Sequence, residues 1–569
     1  MNNSNDNARD DDTVPTAASS FVHVDASTTD PLSLVIQPRH DTIGINAVDT
    51  NTNQKYLTDH VCITVTAQEM QEDDERAPVD IQVALDVSGS MATRGKLELC
   101  KTTLQLLVRF LQPQDRFGLI TYSSDARIDL PLQHMTPDFK HRCLEVIRNL
   151  TTRGNTNISA AVGMAAQELQ SIASPNPVRS ILLLTDGHAN GGICDPEGLV
   201  QLVTNSLVQT SAVGTQPTHE TNVQVQSHPN SFMGFVLNPS DTASTSNDAD
   251  ARLPTQLDLD TNIPISLHTF GYGTDHNEEL LQNMANATEG GTYYFVEDDK
   301  SVGVAFGDAI GGVVSVVAQN AVVQVQVPPA AAAMGVKIDK IHHDQAMQRD
   351  DGSFSVTLGD FYAEESRDVV MSVQLAVPGE TNTDSSIAQV MAKLRYTDTL
   401  ARRPVETCWS TAYISRPQSD FLSEENVHVA SQWLRVFGVQ QMAQADAFAN
   451  ANDFVSAQTT LNAYHVVFEE SSAAVRAHQE SVSMFEGSTA MMRDVTRNKE
   501  SYKAAGSKQS KMRLARYRMQ RAAVSTAPSS STSAPEPYET NYKKMWRAKF
   551  FDGGSGPSDK DDKDGKGGK

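Results

Sequence analysis

The stretch VDIQVALDVSGSM, residues 79–91, carries the first decision about the fold. A buried-strand run, VDIQVAL, gives way to Asp86, Ser88 and Ser90, three oxygen-bearing side chains each two residues apart, and then to Met91. A run of this kind reads as a strand buried on both faces. Alternate side chains of a strand share a side, and a turn before a helix also gathers neighbouring groups. The next stretch, KLELCKTTLQLLVRFL (96–111), puts Leu97, Cys100, Leu104, Val108 and Leu111 at helical spacing. Strand, oxygen-rich turn and helix therefore follow one another.

The same rhythm continues outward. RFGLITYSS and RIDLPL read as strands, FKHRCLEVIRNL and NISAAVGMAAQELQSI as helices, SILLLTDG as a fully apolar strand and PEGLVQLVTNSL as a helix. After a polar interval the strand ISLHTFGYG, the helix NEELLQNMANAT, the strand GTYYFV and the helix VGVAFGDAIGGVVSVV complete it. Alternating strands and helices predict an α/β fold, a doubly wound, mostly parallel, Rossmann-like sheet, over 79–312. Residues 211–260 read as a low-complexity insertion. Residues 317–416 carry strand signals at regular intervals and predict a β-sandwich, which the strands of 33–78 complete. Residues 420–490 predict a helical hairpin, with an aromatic stripe at Trp433, Phe437, Phe454, Tyr464 and Phe468 read as core. Residues 1–32 read as disordered, and 491–569 as a basic segment and disordered tail.

In a doubly wound sheet, ligands bind beyond the C-terminal ends of the strands. Asp86, Ser88 and Ser90 lie there, as do Thr156 of TRGNTNIS and Asp186 of LLLTDG. Two carboxylates and three hydroxyls without thiolate or imidazole suit Mg²⁺, Mn²⁺ or Ca²⁺. Only two protein charges would balance the ion, so one position stays open for a partner's carboxylate. Asp86, Ser88 and Ser90 are the direct candidates, with Asp186 acting through a water.

The pattern D-x-S-x-S at 86–90, the Thr of GNTN and the Asp of TDG resemble the metal-ion-dependent adhesion site of von Willebrand factor A domains. GKLELCKTTLQLLVRFLQPQDRFGLITYSS and GYGTDHNEELLQNMANATEGGTYYFVED fit the same family. The resemblance implies metal binding by Asp86, Ser88, Ser90, Thr156 and Asp186. The wider arrangement is similar to proteins with an A domain, a β-rich segment and a helical Vwaint region, including plant RING-finger members, Hint-domain relatives and inter-alpha-trypsin inhibitor heavy chains. No Cys/His series here could form a RING, and no Hint domain is recognised. The resemblance implies a protein–protein interaction module that is not an enzyme. The alternatives are a substrate-recruiting component of a ubiquitin-ligase system and an extracellular matrix or adhesion protein, for which Asn286-Ala287-Thr288 would be a glycan acceptor.

Other motifs read blandly. GSMATRGKL (89–97) has the wrong spacer and lacks the final Ser or Thr of a phosphate loop, so Lys96 reads as a solvated residue of the first helical turn. His188 reads as a loop histidine near the metal. A triad of Ser88 or Ser90 with His188 and Asp86 lacks a nucleophile elbow. DKDDKDGKGGK stops short of a calcium loop. SKMRLARYRMQR, in the basic 493–521, reads as a solvated helix or an internal contact with the acidic body, with weak contact to an acidic partner as a further possibility. The formal charge of −24 argues against nucleic-acid binding. Five scattered Cys make no zinc module from local spacing and favour a reducing, cytoplasmic setting. Neither a secretory signal nor a membrane span is expected.

Overall fold

The computed structural model describes residues 22–24, 30–48, 57–71, 74–186, 189–207, 264–273, 276–296, 299–376, 386–497, 502, 506–521 and 538–552. The 211–260 insertion, His188 and the stretch DKDDKDGKGGK lie outside them.

The N-terminal region gives β1 (Val22–Val24), β2 (Leu32–Pro38) and β3 (Thr58–Ala67). The opening stretch forms β4 (Val79–Asp86), followed by β5 (Arg116–Tyr122), β6 (Ala126–His134), β7 (Val178–Thr185), β8 (Ile265–Tyr272) and β9 (Tyr293–Val296). These last six form one sheet in the order β6-β5-β4-β7-β8-β9, parallel except at the β5–β6 edge. Every residue of β4 and β7 is buried, Asp80, Gln82, Arg179 and Ser180 included, as in a sheet covered on both faces. One face is covered by helices Lys96–Phe110, Pro137–Arg148 and Asp299–Val313, the other by Ile158–Gln170, Pro196–Leu207 and Glu278–Asn286. The chain winds outward from β4 in both directions, so the switch point of the topology lies between β4 and β7.

Beyond this sheet come β10 (Val316–Gln326), β11 (Lys337–Ile341), β12 (Ala346–Gln348), β13 (Phe354–Tyr362), β14 (Ser366–Gln374), β15 (Ser386–Asp398), β16 (Arg403–Thr407) and β17 (Ser410–Ser415). One sheet runs β1-β16-β15-β10-β13-β12 with β17 also on β15; the other runs β11-β14-β3-β2. In the second, Ile63 of β3 faces Val369 of β14 across the register. Strands on either side of the α/β unit in sequence thus share one sheet, and the α/β unit is inserted between them. ETCWSTAYISR divides into β16 and β17, since Cys408 and Trp409 break the pairing. The N-terminus, expected to be disordered, contributes β1, which pairs in parallel with the edge strand β16; an edge offers unpaired backbone groups to such a segment.

Helices Val427–Asn450 and Phe454–Glu470 pack as the expected hairpin, with Ala457, Leu461, Tyr464 and Phe468 buried in its core. Trp433 instead stacks on His60 of β3, with centroids 4.1 Å apart. The basic segment also folds against the body. Helix Ser507–Met519 brings Lys511 to 3.7 Å from Glu278, and Arg521 binds Glu365 at 2.6 Å while its guanidinium lies 3.7 Å from the Tyr362 ring centroid. Helix Asn541–Asp552 falls within the stretch read as a mobile tail, yet it packs on Asp299–Val313. Tyr542, Trp546 and Phe550 form its buried stripe, and Gly303, Gly307 and Gly311 let the two backbones approach. A Cβ on Gly307 would lie 2.7 Å from Arg547 Cα.

Gly307→Val is therefore expected to expel the terminal helix, with a loss of about 1–3 kcal/mol, visible as lower thermal stability and early proteolysis near residue 541. Burial alone would raise the Glu365 carboxyl, but Arg521 and Arg367 outweigh it and hold it at about 2. The pairing contributes fully above the ordinary value of 4.5 and is lost as pH falls from there toward 2. The stability gap between wild type and Glu365→Gln in urea titrations is expected to narrow over that window; a constant gap contradicts the pairing.

Candidate metal centre

Leu85 of β4 faces Leu184 of β7 in the parallel register, so the two strands end side by side. Asp86 ends the first and Asp186 follows the second. Both carboxylates are buried, and their convergence follows from strand pairing alone. The Asp86 carboxylate is fixed from two sides: Ser88 N donates to Oδ1 at 2.8 Å, and Thr185 Oγ1 donates to Oδ2 at 2.9 Å. Ser88 Oγ lies 3.1 Å from Ser90 Oγ, and Ser90 Oγ donates to Asp186 Oδ1 at 2.7 Å. Asp86, Ser88, Ser90 and Asp186 thus form one continuous hydrogen-bonded set. Met91 turns away from it and is fully buried in the core, which explains the apolar residue after the oxygens.

Thr156 is buried on the neighbouring loop. Gly89 N donates to Gly154 O at 3.2 Å and Arg153 N to Val87 O at 2.5 Å, tying that loop to the oxygen-rich turn. Thr156 N donates to Asn190 Oδ1 at 2.7 Å, and Asn190 N returns a bond to Thr156 O at 3.0 Å. Three loops far apart in sequence therefore meet on one rim. The contacts that place Thr156 are those of its backbone.

Lys96 corrects the expectation of a solvated residue. Its side chain is 12% exposed, and Nζ lies 2.5 Å from Asp186 Oδ2. Arg94 and Gly95 have positive φ values of 53° and 67°, turning the chain so that the helix starts beside the rim. A cation in a first helical turn opposes the helix dipole, and that mismatch was the sequence signal for a carboxylate partner. Thr185 was missed because it reads as one more residue of an apolar strand.

Burial, with the Asp186 charge adding to it, pushes the Asp86 carboxyl up to about 6. Two adjacent buried carboxylates call for positive charge, and the Lys96 ammonium reaches Asp186. With the serine hydroxyls, this all-oxygen donor set fits a hard divalent cation.

Residues 80–252 match a family model described as von Willebrand factor type A domain, and 240–295 match a second model so described. The chain carries a von Willebrand factor A domain. It is 26% identical over 318 residues to "E3 ubiquitin-protein ligase WAV3" of Arabidopsis thaliana, covering 56% of this chain and 33% of that protein. It is 35% identical over 119 residues to "Uncharacterized protein YfbK" of Escherichia coli (strain K12), covering 21% and 20%. It is 29% identical over 138 residues to "Inter-alpha-trypsin inhibitor heavy chain H3" of Homo sapiens, covering 23% and 15%. The chain spans a third or less of the length of these relatives. The solved structure "von Willebrand factor type A from Catenulispora acidiphila" superposes with a TM-score of 0.53 at 14% identity, covering 84% of this chain and 96% of that one. That likeness is one of fold, and it extends past the inserted α/β unit.

Replacing Lys96 by Met leaves Asp186 buried without its ammonium. In chelator this is expected to cost about 3 kcal/mol, the low end for breaking a buried pair, measured by urea unfolding. Adding Asp186→Asn should recover most of the loss; additive losses contradict the pair.

Proposed function

We propose that this chain is a protein–protein interaction module, without catalytic activity of its own, that takes a partner's Asp or Glu carboxylate through a divalent cation held at Asp86, Ser88, Ser90, Thr156 and Asp186. The observation that carries the reading is the set of side-by-side carboxylates at the ends of β4 and β7, bridged by Ser90. Mg²⁺, Mn²⁺ or Ca²⁺ bound there would supply a Lewis-acidic point with a position open to a partner's carboxylate. The rest falls to the chain's own residues. Ser88 N and Thr185 hold Asp86 in one orientation, so little ordering remains for binding to accomplish. Ser90 and Lys96 hold Asp186. Lys96 also keeps the rim from standing as two unpaired anions. The chain as a whole carries a formal net charge of −24 and on its own repels an acidic partner, so attraction at this rim has to come from a local cation.

We place the protein in a reducing, cytoplasmic setting, a reading supported by its five free cysteines, of which Cys62, Cys100 and Cys143 are buried. No helix among the described residues is long and apolar enough to cross a membrane. The Asn286-Ala287-Thr288 pattern has a structural use, because the buried Thr288 hydroxyl accepts from Leu267 N at 2.9 Å.

A second reading, recruitment of substrates to a ubiquitin ligase, is favoured by the 318-residue match to WAV3, which is longer than the inserted domain. The two readings share the rim and differ in the partner. Partner capture from lysate in Mg²⁺ is expected to be lost in chelator and in Asp86→Ala, while the circular dichroism of the variant stays native. Capture at full strength in chelator contradicts the metal-bridged reading. Ubiquitin-ligase subunits among the captured proteins would select the second.

A further inference from the structure

Outside the A-domain rim, three side chains of different chemistry meet where helix Val427–Asn450 starts on the four-stranded sheet. Thr64 of β3 faces Asp368 of β14 across the register, and Cys62 lies two residues along β3, on the same face. His428 is the second residue of the helix. Cys62 Sγ is 3.5 Å from Asp368 Oδ1, and His428 Nε2 is 2.8 Å from the same oxygen. One donor atom from each of the three residues lies within 4.8 Å of the others. Thr64 Oγ1 stands 4.0 Å from the sulfur and 3.2 Å from the imidazole nitrogen.

We propose that Cys62, Asp368 and His428 form a second metal site, selective for zinc, that fastens the helical region to the sandwich. A thiolate, an imidazole and a carboxylate are the donors Zn²⁺ takes, and sulfur argues against Mg²⁺ or Ca²⁺. Tetrahedral zinc with bonds of about 2.0–2.3 Å places its ligand atoms about 3.3–3.7 Å apart. The Sγ–Oδ1 distance of 3.5 Å already meets this. The Nε2–Oδ1 distance of 2.8 Å has to open by roughly half an ångström, a shift the His428 ring can make because its side chain is 33% exposed. That exposure also gives the ion its approach. A water takes the fourth position, and Thr64 Oγ1, which donates to Asp368 Oδ1 at 2.5 Å, orients that carboxylate.

The charges close around such an ion. Arg435 Nη2 donates to Asp368 O at 3.2 Å, and Gln432 links Arg435 to the half-buried Glu480. The Cys62 thiolate and the Asp368 carboxylate then balance Zn²⁺. Binding releases the thiol proton, and any proton on His428 Nε2, to solvent. The three ligands come from β3, β14 and the first turn of the helix, so one ion joins elements separated in sequence by 306 residues between Cys62 and Asp368 and by 60 between Asp368 and His428.

Co²⁺ titration of the chelator-stripped full chain tests this apart from the A-domain rim, which contains no sulfur ligand. A thiolate-to-cobalt charge-transfer band with tetrahedral visible bands is expected, at about one equivalent, displaced by Zn²⁺. The band should persist in Asp86→Ala and in the Cys194→Ser/Cys408→Ser double variant, and vanish in Cys62→Ser and His428→Gln. No thiolate band in the wild type, or a band that survives Cys62→Ser, overturns the site and leaves a His428–Asp368 ion pair beside a bystander thiol. If Cys62→Ser does not fold, the wild-type spectrum and the double variant decide: a band lost in the double variant overturns the site, and one retained supports it.

Discussion

Parallel pairing of β4 with β7 is the constraint on which the inserted domain's chemistry rests. The register sets Leu85 against Leu184, and the next residues along each strand end the sheet at one edge. Two carboxylates from chain positions a hundred residues apart become neighbours because two apolar runs share backbone hydrogen bonds. The cost of burying Asp86 is visible in its raised carboxyl, and Ser88 and the Thr185 hydroxyl offset part of it, while Lys96 pairs with the neighbouring Asp186. Strand pairing places the two carboxylates, and the hydrogen bonds between Gly89 and Gly154 and between Arg153 and Val87 tie the loops beside them.

A second constraint fixes how the domain is displayed. The α/β unit leaves the sandwich at β3 and returns at β10, so both of its ends are anchored in paired strands. The C-terminal segment then crosses the junction. Arg521 binds Glu365 beside β13 and β14 and reaches Asp360 O at 2.8 Å, and Gln520 exchanges hydrogen bonds with the Asp368 backbone at 2.9 Å. The terminal helix closes on Asp299–Val313, where Lys543 and Arg547 lie 3.4 and 3.2 Å from the buried Asp308. A basic tail on an acidic body thus becomes part of the core.

Much of this was legible in the sequence, for physical reasons. The runs at 79–85 and 181–184 announce buried parallel strands because apolar residues dominate both, and the oxygens after each run mark the rim. Cys100, Cys143 and the Phe454–Phe468 stripe fall on buried faces as their spacing predicts. Lys96 was misread because its charge suggested solvent, although its place in a first helical turn argued for a partner. The helix at 541–552 was hidden by five charged residues, four cationic and one acidic, around Tyr542, Trp546 and Phe550, whose spacing of four was the better signal. Cys62, Asp368 and His428 share no local spacing, so only the pairing of β3 with β14 brings them together.

The central claim is that the oxygens at the ends of β4 and β7 hold a divalent ion. Calorimetric titration of the chelator-stripped full chain with Mg²⁺ tests it most directly, since Mg²⁺ has little use for the sulfur of Cys62. The account predicts a single saturable site whose heat disappears in Asp86→Asn. An absence of heat with Mg²⁺, Mn²⁺ and Ca²⁺ alike, or heat that Asp86→Asn leaves unchanged, would contradict it.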